Sequence, residues 1–193
     1  MNSKQVILGS ILLSAISVTA SVVAEPLFII DSEASSLSFN VKATVEDVEG
    51  RFEKVEVESI EYYGLPESLK GRLIISINSL DTGKEKRDIH LKSADFFDVA
   101  NYPKAFIDII SITQEEGQYY ARFMVEIRGI RKEFTAPIEL KTSWLKIEAT
   151  GTITLKRTDF DIKGNILTNT IINDDVLIDY KLVLVRQKSS VPQ

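Results

Sequence analysis

The sequence predicts an all-β fold of about eight or nine strands, with a short helix inside one long connection. Three observations carry this. Apolar and polar residues alternate with period two through most of the chain after residue 25. Turn residues break the alternation at hairpin intervals. One stretch, Ser79 to Pro103, abandons the alternation for a helix-like pattern. Strands of this spacing, joined mostly by short hairpins, read as an up-and-down barrel or a sandwich.

The first 24 of the 193 residues read as a cleavable signal peptide. Lys4 supplies the positive start, Val6 to Val18 the apolar run, and Val22-Val23-Ala24 the small-x-small cleavage site before Glu25, with Ala20 as a second cut. The apolar run is short against the roughly 20 residues needed to span a bilayer, and no other stretch approaches that length, so the chain is expected not to be membrane-spanning. The expected destination is periplasmic. Residues 25–188 then form one barrel domain, and 189–193 a loose tail. With no cysteine in the chain, an exported protein of this size must be held by burial and backbone pairing rather than by disulfides.

The strands follow in order. Leu37, Phe39, Val41, Ala43 and Val45 alternate with Ser38, Asn40, Lys42 and Thr44. Val55 and Val57 begin a second run whose phase slips before Ile60 and Tyr62, which predicts a bulge. Gly64-Leu65-Pro66 ends it, and Leu73, Ile75 and Ile77 form the next strand. Glu115-Glu116-Gly117 reads as the turn before Tyr119–Ile127, and Gly129, expected at positive φ, as the turn before Phe134–Leu140. Ala149, Gly151, Ile153 and Leu155 share one face of a further strand. Asn173-Asp174-Asp175 reads as a turn, with the last strand from about Val176 to Val185. In the long connection, Thr82-Gly83-Lys84-Glu85 has capping-box spacing ahead of the helix formers Lys86 and Arg87. Structureless connections of such length are usually functional.

Charge and composition exclude several classes. The formal charge of −5, with the two signs interspersed, argues against nucleic acid as a partner. His90 is the only histidine, so neither a metal centre nor a haem has a ligand set, and no cofactor is expected. A Ser-His-Asp triad would have to use His90, and there is no nucleophile elbow; catalysis is not expected.

The long connection resembles the YceI family. The residues that carry the resemblance are Ser79-Leu80-Asp81-Thr82, Arg87-Asp88-Ile89-His90-Leu91, Asp95-Phe96-Phe97-Asp98 and Asn101-Tyr102-Pro103. Flanking segments are similar too: Ile30-Asp31 with Ser36-Leu37-Ser38-Phe39, Glu49-Gly50-Arg51-Phe52, Ile127-Arg128-Gly129-Ile130, and Arg157-Thr158-Asp159-Phe160. The resemblance implies an eight-stranded antiparallel lipocalin-like barrel that holds an isoprenoid or other long-chain lipid in a tunnel, and it allows a homodimer. Its implied tunnel lining is Phe39, Val41, Leu73, Ile75, Ile107, Phe123 and Ile153. Periodicity alone leaves open whether such residues line a tunnel or fill a core. Its implied polar group near the pocket is Arg87, Asp88, His90, Arg157 and Asp159. His90 is either a polar group at the mouth or a hydrogen-bonded anchor for the connection. Arg157 and Asp159 are candidates to hold Arg87 and Asp88 against the wall. The chain departs from the family pattern at Ala43, where His is common, at Asp161, where Gly is common, and at Ile107, where Phe is common. Two rivals to lipid carriage stand beside it: a filled barrel that binds a protein partner, and an enzyme acting on an isoprenoid.

Overall fold

The computed structural model describes residues 27–164 and 171–187. The stretches read as signal peptide and as tail lie outside the described residues. The strands are β1 (Phe28–Ile30), β2 (Ser36–Ala43), β3 (Val48–Phe52), β4 (Val55–Glu61), β5 (Lys70–Ser76), β6 (Leu80–Asp81), β7 (Lys104–Glu115), β8 (Gln118–Ile127), β9 (Ile130–Thr142), β10 (Lys146–Lys156) and β11 (Ile172–Arg186). A helix, α1 (Glu85–Lys92), lies between β6 and β7. All pairings are antiparallel, in the order β4-β5-β7-β8-β9-β10-β11-β2-β3-β6, with β1 beside β11.

These eleven strands reduce to the expected eight. Strands β3 and β4 are one run bent at Glu53 and Lys54, and β5 and β6 are one run bent by a 3-10 turn at Ile77–Ser79. Across the paired bends the Glu53 N–H donates to the Ser79 carbonyl (3.2 Å) and the Ser76 N–H to the Lys54 carbonyl (3.0 Å). Each bent run therefore counts once, β1 is a short extra strand, and the sheet returns on itself as a lipocalin-like barrel. Bending lets one run serve two neighbours as the sheet curls, which closure requires.

Local chemistry explains the connections. Glu116 and Gly117 both have positive φ (51° and 87°), as do Arg128 and Gly129 (52° and 73°). Two successive positive φ angles mark the tight turn whose twist suits adjoining strands. The expected bulge in β4 is present as a register shift between Val57 and Ser59 against β5.

Three local expectations are corrected. Val45 belongs to a turn, not to β2, and is 87% exposed. Asp47 draws the chain round by accepting from the Ala43 N–H (3.2 Å) and pairing with Lys42. The Asn173-Asp174-Asp175 run lies inside β11, where the pairing with β2 slips between Ile172 and Val176. Asp174 accepts from the Thr158 N–H (3.0 Å) and hydroxyl (2.8 Å), and Asp175 pairs with Lys156 (3.0 Å), so these polar side chains brace a bulge rather than make a turn. Thr82 does not cap α1. The cap position is Lys84, without a side-chain bond, because the Thr82 hydroxyl is committed to Asp88 and Arg87.

Strands β9 and β10 pair only from Glu139/Thr150 to Thr142/Ile147 and then separate. Pro137 has no N–H to extend the ladder, and Gly151, the next residue of β10 past the paired stretch, offers no side chain. The gap is filled from inside. Phe160, 1% exposed, stacks on Phe134 (6.5 Å between centroids), which stacks on Phe123 (5.9 Å). The barrel end away from α1 is packed solid by Phe28, Tyr62, Leu69, Ile112, Ile138 and Ile147.

Candidate functional site

The other half of the barrel is hollow. Inward-facing residues of β2, β5, β7, β8, β10 and β11 enclose a cavity of about 270 Å³. Alternation along each strand places one apolar residue in two on this wall. The roof comes from the long connection and from the segment after β10: Leu91 of α1, Phe96 and Phe97, then Phe160 and Ile162. Phe39, Phe52 and Phe97 form a continuous series of rings along one side, with centroids 5.7 and 6.1 Å apart. Two inward-facing rings, one of them on the cavity wall, depend on a glycine across the ladder. Phe39 faces Gly50, where a Cβ would fall 2.4 Å from the ring, and Tyr180 faces Gly151, where a Cβ would fall 2.5 Å from the phenol oxygen. Aromatic rings covering mid-strand glycines compensate for their missing side chains.

Of the seven residues expected to line a tunnel, Phe39, Val41, Ile75, Ile107 and Ile153 border the cavity. Leu73 and Phe123 do not: they are buried in the solid core, 2% and 7% exposed. They correct the expectation, because they sit on the right face but one inward position too deep.

The polar candidates divide likewise. Arg87, His90 and Arg157 border the cavity; Asp88 and Asp159 do not. Arg87 Nε donates to the Thr82 hydroxyl (2.9 Å) and Nη2 to the Thr82 carbonyl (2.8 Å). Asp88 accepts from the Thr82 N–H (3.0 Å) and hydroxyl. Thus α1 is fastened to the end of β6 through Thr82, and not through Arg157 and Asp159 as expected. Asp159 is on the surface beside Lys132 (3.9 Å). The His90 ring packs edge-on against Phe96 at 4.9 Å, on the exposed side of α1.

Arg157 is the one buried charged side chain among the described residues, 7% exposed. Its guanidinium donates to the carbonyls of Asn173 (3.0 Å), Ile162 (2.9 Å), Lys163 (3.1 Å) and Ile172 (3.2 Å). A planar fork of donors suits this ring of acceptors, and a buried charge needs it. A second arginine went unrecognised in the sequence: Arg128, placed by the β8–β9 turn, donates to the carbonyls of Phe96 and Asp161, both at 2.6 Å. The Gly164 N–H adds a bond to the Asp95 carbonyl (2.9 Å). Together these stitch the two roof segments to each other. Asp161 sits at φ 58°, a left-handed position that explains the family's frequent Gly there. Its carboxyl is held below the ordinary range by the hydrogen bond from Lys163 and, to a lesser degree, by Arg128. Among the described residues no acidic side chain borders the cavity, and no cluster of His, Cys, Asp and Glu could hold a metal.

A closed antiparallel barrel with an apolar cavity under a helix-bearing roof defines a lipocalin-like architecture. The YceI-like domain matches residues 28–184, and the chain belongs to that family. It is 29% identical over 177 residues to Protein YceI of Salmonella arizonae, covering 82% of this chain and 87% of that one. It is 32% identical over 109 residues to UPF0312 protein plu2095 of Photorhabdus laumondii, a match covering 52% of this chain and 56% of the relative. Among solved structures it resembles Burkholderia cenocepacia BcnA (TM-score 0.71, 23% identity, 80% of this chain and 98% of that one). It also resembles a polyisoprenoid-binding domain from Saccharophagus degradans implicated in plant cell wall breakdown (TM-score 0.68, 19% identity, 83% and 99%). No helix among the described residues is long and apolar enough to cross a membrane.

Proposed function

We propose that this is an exported carrier that holds the tail of an isoprenoid or related amphiphilic lipid in the barrel cavity, with the head group at the rim bearing Arg87 and His90. One observation carries the reading: a cavity of about 270 Å³ whose wall is apolar and whose polar groups, Arg87, His90 and Arg157, come from the roof segments and the end of β10. That is the layout an amphiphile needs, with the tail dry and the head near water. Each buried methylene contributes about 0.8 kcal/mol before the cost of ordering the chain, so an apolar wall alone gives useful affinity and loose selectivity. The polyisoprenoid-binding domain of similar fold supports the ligand class. The empty volume favours this reading over a filled barrel. Among the described residues the polar groups that border the cavity are Arg87, His90 and Arg157, a set that supports binding rather than catalysis.

The test is native mass spectrometry of the mature protein purified from its own host compartment, followed by organic extraction. A lipid or isoprenoid at near one-to-one stoichiometry is expected. A bare mass that also takes up no added isoprenoid would overturn the proposal.

A further inference from the structure

We infer that the solid end of the barrel, opposite the roof, is a docking surface for an anionic lipid bilayer, which the tips bearing Leu27, Tyr63, Leu65, Trp144 and Leu145 enter. Three parts of the chain meet at this end: the start of β1, the β4–β5 connection and the β9–β10 hairpin. Tyr63, Leu65, Trp144 and Leu145 are between 62% and 76% exposed, and Leu27 is 47% exposed. Large apolar side chains gathered in water at one end of a molecule mark an interaction site. The roof, with Arg87 and His90, faces the other way, so the inference stands apart from the carrier reading.

The tips are held outward. The Ser143 N–H donates to the Lys146 carbonyl (2.7 Å), closing the hairpin turn. Arg186 Nε donates to the Trp144 carbonyl (2.8 Å) and the Arg186 N–H to the Leu145 carbonyl (2.9 Å). The Arg186 guanidinium lies over the Trp144 ring at 3.9 Å and the Phe28 ring at 4.8 Å, and Phe28 meets Tyr62 edge-on at 6.2 Å. This series crosses the end and ties the Trp144 tip to the segment carrying Tyr63. Charge selects the occupant. Just behind the hairpin tip, Lys141, Lys146 and Lys181 gather around one acid, Glu148; Lys146 chiefly, and the other two more weakly, hold its carboxyl below the ordinary range. Arg186 adds a fourth positive charge. Near Tyr63, Glu61 and Glu67 stand beside Lys70, and Glu115 and Glu116 end the β7–β8 hairpin, so the attraction for anions belongs to the Trp144 side. A second copy meeting this end face to face would set these cations against their own counterparts. A folded partner needs one continuous complementary surface, whereas a bilayer interface accepts separate tips, with Trp and Tyr at head-group level and Leu among the chains. At the roof end the exposed Val45 lies beside Glu46 and Asp47, which pair with Lys84 and Lys42, and has no such excess of cations.

Trp144 is the only tryptophan of the chain, so its emission reports on this tip alone. The test mixes the mature protein with vesicles of phosphatidylethanolamine and phosphatidylglycerol, about three to one, and with vesicles of phosphatidylcholine. Co-sedimentation with the anionic vesicles is expected, with a blue-shifted Trp144 emission that brominated acyl chains quench, and binding at least about fivefold weaker to phosphatidylcholine. The double variant Leu65→Ser, Leu145→Ser alters only exposed side chains and is expected to weaken vesicle binding at least about tenfold. Val45→Ser, at the opposite end, is expected to change it less than about twofold. The emission of the natural protein decides the matter even if the double variant fails to fold. Three results would each overturn the inference: no co-sedimentation; co-sedimentation with an unshifted, unquenched Trp144, which would place the contact elsewhere; or a blue shift that follows protein concentration without vesicles, with a doubled mass, which would make a second copy the occupant. Isoprenoid uptake without vesicle binding would sink this inference and leave the carrier reading intact, and vesicle binding without isoprenoid uptake would do the reverse.

Discussion

Arg157 is buried, and the partners that hold its charge include four backbone carbonyls from two chain segments. Arg157→Met keeps much of the volume but leaves these carbonyls without their donor. Hydrogen bonds to a charged group contribute about 1.5–3 kcal/mol each, so a loss of about 3 kcal/mol is expected, read as a lowered urea midpoint. A shift below about 1 kcal/mol would mean that water replaces the guanidinium. Gly50→Ala acts on the wall instead. Its Cβ would meet the Phe39 ring at 2.4 Å, so the ring must move into the cavity. Overpacking of this kind costs about 1–3 kcal/mol, and ligand affinity is expected to fall at least about tenfold in the same variant. Tyr180 adds an alkaline limit. Burial pushes its phenol from 10.0 up to about 12. The neutral phenol therefore stabilises the fold fully below pH 10, and that contribution is lost as pH rises from 10 toward 12. Tyr180→Phe should retain more of its stability in that window than the natural protein, measured by denaturant titrations across it. At this scale the sequence was partly readable. Ile75 and Leu73 share a strand face, so alternation predicts that both point inward, yet one borders the cavity and the other lies beneath it. Period two gives side, not depth.

The helix α1 has no fully buried residue; Leu91 alone packs against the core clusters, and side-chain ties at its start supply much of the rest of its hold. Thr82 is the hub of those ties, bonded to Asp88 and Arg87. Thr82→Val preserves shape and removes the hydroxyl. Amide exchange is expected to quicken across Glu85–Lys92 while the barrel strands keep their protection; unchanged exchange there would show that the roof is held elsewhere. The existence of this helix was legible from Thr82 to Arg87, but its mode of attachment was not. A capping box and a strand-to-helix tie use the same threonine and the same spacing, and only the tertiary partners distinguish them. The bends in β3–β4 and β5–β6 were hidden for a related reason: alternation continues through a corner that only the neighbouring strand reveals. The gap between β9 and β10 had better signals in Pro137 and Gly151, which lie within two residues of the last paired positions on their strands.

For the whole molecule, charge sets the acid limit. Glu46, Asp47 and Asp161 are held below their ordinary values chiefly by hydrogen bonds from Lys84, Lys42 and Lys163. Depressed carboxyls stabilise the fold above their unfolded values and lose that contribution as pH falls through the folded ones. These groups lie at the surface, so the loss below about pH 4 should be shallow and flatter still in high salt. A steep, salt-insensitive collapse in acid would point to a buried carboxylate instead.

The last strand, β11, pairs not only with its predecessor β10 but also with β1 and β2 at the far end of the chain, where Ser38 bonds to Asp179 across 141 residues. A polypeptide made from its N-terminus exposes β2 long before the partner that completes it exists. Until β11 arrives there is no ring and no enclosed space. Such long-range pairing is slow to form. The unfinished chain stays open-edged, and the cavity exists only once the whole chain has been made.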